Sequence, residues 1–95
     1  MTIEELTEDQ CKNIIELALP NSDIVIISTI VKYKESLIIS FIGIINKKIT
    51  SLKLIIKEDL SLYMYTEKDT ELSVGNQYHI SKYFETINLK VNLEF

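Results

Sequence analysis

The chain has 95 residues, 46% of them hydrophobic and 25% charged, with a formal net charge of −4 and no arginine. That length allows one hydrophobic core, so residues 1–95 are read as a single domain, and the balance is that of a folding chain and not of a disordered one. Negative charge without arginine argues against nucleic acid as a direct partner, because phosphate binding needs clustered cations and base reading favours the guanidinium fork.

At the N-terminus, Glu4 and Glu5 stand where a secretory signal would carry positive charge, so a cytoplasmic address is expected. A helix is predicted over Thr7–Leu19. Thr7 and Gln10 have capping-box spacing, Leu6 and Cys11 fall where a hydrophobic staple would lie, Glu8 and Asp9 suit the first turn, and Pro20 ends it. Cys11, Ile14, Ile15 and Ala18 recur at i, i+3, i+4 and i+7 and mark its packing face. A start at Thr2, with Glu5 as the box partner, competes with this one.

Isoleucine dominates the apolar positions that follow, which favours strands, because β-branched side chains suit a pleated surface. Ile24–Tyr33 and Leu37–Asn46 read as a hairpin joined by Lys34, Glu35 and Ser36; Ile49–Lys57 and Leu60–Thr66 continue a meander. Glu67–Thr70 is a charged turn. Gly75-Asn76 breaks the next segment, and a strand is placed near Gln77–Ser81. Ile87, Leu89, Val91, Leu93 and Phe95 alternate with polar residues and predict a last strand. The expected fold is therefore α+β, an N-terminal helix packed on a curled antiparallel meander of five or six strands.

The residues that carry chemistry are few. His79 is the only histidine and Cys11 the only cysteine. A Cys11–His79 dyad is conceivable, but Cys11 lies on the predicted core face, where a thiol is inert. Glu67, Asp69 and Glu71 alternate around a turn without the glycine and terminal glutamate of a calcium loop. Gly43 and Gly75 stand alone and begin no phosphate-cradling run. No catalytic residue, cofactor or metal site is assigned, and the longest uncharged stretch, Ser36–Asn46, is far short of the roughly 20 residues of a membrane span.

Charge divides along the chain: residues 1–23 carry six acids and one lysine, residues 24–57 six lysines and one acid. A small acidic, non-enzymatic protein-binding module is expected, an inhibitor or antitoxin-like factor that occupies a basic site on a target protein. Its candidate contact residues are Glu4, Glu5, Glu8 and Asp9 together with Tyr63, Tyr65, Tyr78 and Tyr83. A carrier of a small apolar ligand in a half-closed barrel, or a homo-oligomeric accessory subunit, are the alternatives. In the first two strands both alternating faces are apolar, with Ile24, Ile26 and Ile30 opposite Val25, Ile27 and Val31. Because one helix cannot cover both faces, a homodimer or hetero-complex through this first hairpin is expected.

Overall fold

A computed structural model describes residues 1–91. Both candidate helix starts are used. The Thr2 amide donates to the Glu5 carboxylate at 2.9 Å and opens a single 3-10 turn, Ile3–Glu5. Thr7 then caps α1 (Glu8–Ala18): its hydroxyl accepts from the Gln10 amide at 3.1 Å while its own amide donates to the Gln10 side chain at 2.9 Å. At the other end of α1 the Leu17 and Ala18 carbonyls have no helical partner, and the Gly75-Asn76 segment supplies donors. The Asn76 amide side chain reaches Leu17 at 3.0 Å and the Gly75 N–H reaches Ala18 at 3.1 Å. A Cβ on Gly75 would lie 3.1 Å from the Ala18 oxygen, which is why this approach takes glycine.

Five strands follow in sequential antiparallel order: β1 (Val25–Tyr33), β2 (Ser36–Ile45), β3 (Lys48–Lys57), β4 (Leu62–Thr66) and β5 (Glu71–Leu72). Two-residue loops close the first two hairpins. Asn46 and Lys47, both with positive φ, match the type I′ geometry that suits the right-handed twist of the strands. On one sheet face Leu37, Ile39, Phe41, Leu52, Leu54, Ile56 and Met64 are buried. They form one core with Cys11, Ile14, Ile15 and Ala18 of α1 and with Ile80 and Phe84 of α2 (Gln77–Thr86). The fold is α+β, and both helices lie against the same face of an unclosed meander.

Two expected strands are corrected. Gln77–Ser81 forms the first half of α2, because Ile80, Tyr83, Phe84 and Ile87 recur at helical spacing and bury Ile80 and Phe84. The alternation from Ile87 to Val91 forms no strand either. Asn88 turns left-handed at φ 60°, and the amides of Asn88 and Leu89 bond back to the Glu85 and Phe84 carbonyls at 3.1 and 2.8 Å. This Schellman closure buries Leu89 under the helix. The end of that expected strand, residues 92–95, lies outside the described residues.

Candidate functional site

The face of the sheet opposite the helices is the feature that core formation leaves unexplained. Strand pairing sets Val31, Ile38, Ile55 and Tyr63 in one row across it, and Ile26, Ile42 and Ser51 in another. Ile24, Ile44 and Ile49 lie beyond the second row. Ile49 is 78% exposed, Ile26 59%, and Ile24 and Val31 49% each, while Ile38, Ile42, Ile44 and Ile55 are half-buried by their neighbours alone. A soluble antiparallel sheet usually turns a polar face to water, so an isoleucine face is the departure from rule.

Between the two apolar bands runs a polar row of Thr29, Ser40, Lys53 and Tyr65. Ser28, Ser40, Ser51, Lys53 and Glu67 line a shallow depression there of about 500 Å³, open to solvent. The Lys53 ammonium leans toward the β4–β5 turn and meets Asp69 at 3.4 Å.

A bulge changes which β1 residues share this face. The register slips between Ile27 and Thr29, so Ile30 falls opposite Ile39 on the helix side, whereas Val31 falls opposite Ile38 on the open side. Strict alternation places Ile30 with Ile24 and Ile26, and Val31 with Val25 and Ile27. The structure exchanges the two.

The expected contact residues divide between the two sides of the molecule. Tyr63 and Tyr65 belong to the open face; Tyr78 and Tyr83 stand on α2, where the Tyr83 hydroxyl accepts from the Asn13 amide at 3.1 Å and ties α2 to α1. Glu4, Glu5, Glu8 and Asp9 are exposed on the helix layer, and the fold already uses two of them. The Thr2 backbone and side-chain hydrogen bonds hold the Glu5 carboxyl below its ordinary pKa. Lys32 contacts Glu4 at 3.5 Å and Glu58 at 3.0 Å. Desolvation alone would lower the Lys32 pKa, but the hydrogen bond and charge of Glu58, followed by those of Glu4, outweigh it and leave the ammonium more basic. These acids and the tyrosine pair on the sheet therefore make no common surface.

Cys11 is fully buried in α1, where desolvation, with the Glu8 charge adding, pushes its thiol up to about 11. It stays protonated at neutral pH, and His79 is exposed on α2, outside the core. Among the described residues no three His, Cys, Asp or Glu side chains gather at metal-binding distance, and no helix is long and apolar enough to cross a membrane. No protein-family model, curated protein or solved structure matches the chain.

The open face was partly legible in the sequence. Ile38, Ile42 and Ile44 alternate with the core residues Leu37, Ile39 and Phe41, which announces a strand apolar on both sides. Ile55 and Tyr63 likewise alternate with the core residues Leu54, Ile56 and Met64, but that they join Val31 and Ile38 in one row is fixed only by strand pairing, which sequence alternation does not supply.

Proposed function

We propose that the chain is a non-enzymatic protein-binding module whose contact surface is the uncovered face of β1–β4. One observation carries the reading: isoleucine and valine side chains form two bands across three long strands on a face that neither helix covers, with Ile24, Ile26, Val31 and Ile49 exposed and those of β2 half-buried. Apolar patches of this extent on soluble chains mark interaction surfaces, because leaving them in water is unfavourable in proportion to area. The carboxylates of the helix layer support binding less well, since Glu4 and Glu5 already have partners within the fold.

A carrier of an apolar ligand is less well supported, because β1 and β5 remain separate edges and the depression on the sheet is open and half polar in its lining. The test is comparative capture. Immobilised wild-type chain and an Ile26→Lys/Val31→Lys variant of unchanged circular dichroism are exposed to the same host extract. A set of proteins held by the first and lost by the second supports the reading. Identical sets sink it.

A further inference from the structure

We infer that the occupant of this face is a second copy of the same chain, the two sheets packed face to face about a two-fold axis lying between them. This rests on reading the face as a protein-binding surface.

The area is the first argument. Three strands of about ten residues at ~3.3 Å per residue and a half-length fourth, spaced ~4.8 Å apart, present roughly 500 to 600 Å² before side-chain relief is added. A standard interface takes about 800 Å² of accessible surface from each partner, so the corrugated face is of the size a stable dimer uses. Aligned sheets pack about 10 Å apart with their strands within ~30° of each other. With the axis across the strands, Val31, Ile38 and Ile55 of one copy lie on Ile26 and Ile42 of the other, and the contact occurs twice. Apolar area then meets apolar area on both sides of the polar middle.

The second argument is charge. A surface that pairs with itself must not confront unpaired charges of one sign. Lys53, the cation nearest the centre, is neutralised within its own chain by Asp69 at 3.4 Å. At the rim the Lys57 and Lys34 ammoniums sit 5.2 and 5.4 Å from the ring centres of Tyr63 and Tyr33. These rim ammoniums keep their charge but lie exposed to solvent outside the apolar bands, and an acidic partner or an anionic membrane would face a net charge of −4. Apolar area is what the face has to offer, and another copy offers the same. The depression around Ser40 can hold bridging water at the seam, as interfaces commonly do.

Light scattering at micromolar concentration should return twice 11.0 kDa. Ile26→Lys and Val31→Lys, one in each apolar band, should each raise the dimer Kd at least about thirtyfold with unchanged circular dichroism, the size of effect seen at interface centres. Ser40→Cys supplies an independent readout, because Ser40 lies near the middle of the face and buried Cys11 stays out of thiol chemistry. A short bismaleimide should join Ser40→Cys chains into a covalent dimer and leave Glu16→Cys, exposed on α1, monomeric.

A clean monomer without the Ser40→Cys cross-link overturns self-pairing. So does a dimer that Glu16→Cys reports and Ser40→Cys does not. If the monomer nevertheless holds a different protein that Ile26→Lys releases, self-pairing fails and the binding face survives. Binding to anionic phospholipid vesicles that Ile26→Lys abolishes would overturn both.

Discussion

Asn88 is a single residue that settles how α2 ends. Its left-handed backbone lets the Leu89 amide reach the Phe84 carbonyl, which ends α2 and folds Leu89 into the core. Any Cβ crowds the following carbonyl there; the asparagine side chain can offset this by bonding locally, which alanine cannot do, and glycine avoids it altogether. Asn88→Ala should therefore lower stability by about 1 kcal/mol in denaturant unfolding, while Asn88→Gly should leave it equal or raised. Equal loss for both variants would show that the side chain and not the backbone geometry matters. The strand alternation around Asn88 misleads for this reason, since Ile87, Leu89 and Val91 look periodic only while the backbone stays extended. Cys11 is the opposite case. Its place on the i, i+3, i+4, i+7 face already implied a buried thiol, and burial accounts for its raised pKa.

Elements whose signals are local are legible, and those that depend on pairing are not. Thr7-x-x-Gln10 and Thr2-x-x-Glu5 each satisfy N-terminal amides within four residues, so both starts could be seen without knowing what they pack on. The hairpins are equally local. The β1 bulge arises from how β1 sits on β2, and nothing in Ile27-Ser28-Thr29 announces it. The α2 segment held its own signal, Ile80, Tyr83, Phe84 and Ile87, but aromatic and β-branched residues favour strands on propensity, and tertiary packing overrides propensity here. Phe84 tests the assignment, because it is a large buried side chain that joins α2 to the sheet core. Phe84→Ala should cost about 3–5 kcal/mol. A loss below about 1 kcal/mol, or α2 of the wild-type chain melting separately from the sheet, would mean that the helix is only loosely docked.

At the scale of the molecule, the helix layer covers one side of the sheet and, among the described residues, nothing covers the other, so hydrogen exchange can test how the proposed second copy would sit. β2 and β3 pair with each other over ten residues and each has a second neighbour, β1 along most of β2 and β4 along Leu52–Ile56 of β3, so their doubly paired amides should exchange slowest, near the global unfolding rate. β5 has two residues and should exchange first. β1 is the informative strand. It pairs only with β2, and in an antiparallel ladder about half of its amides point away from that neighbour, into solvent at the sheet edge. Face-to-face pairing covers the side chains of Ile26 and Val31 but leaves this edge free. The outward β1 amides should then exchange quickly at every protein concentration, while the Ile26→Lys variant alters association and not their rates. Edge-to-edge pairing would continue the sheet through β1 and tie up the same amides. Protection of outward β1 amides that grows as concentration rises from the nanomolar to the micromolar range would move the seam from the face to the edge.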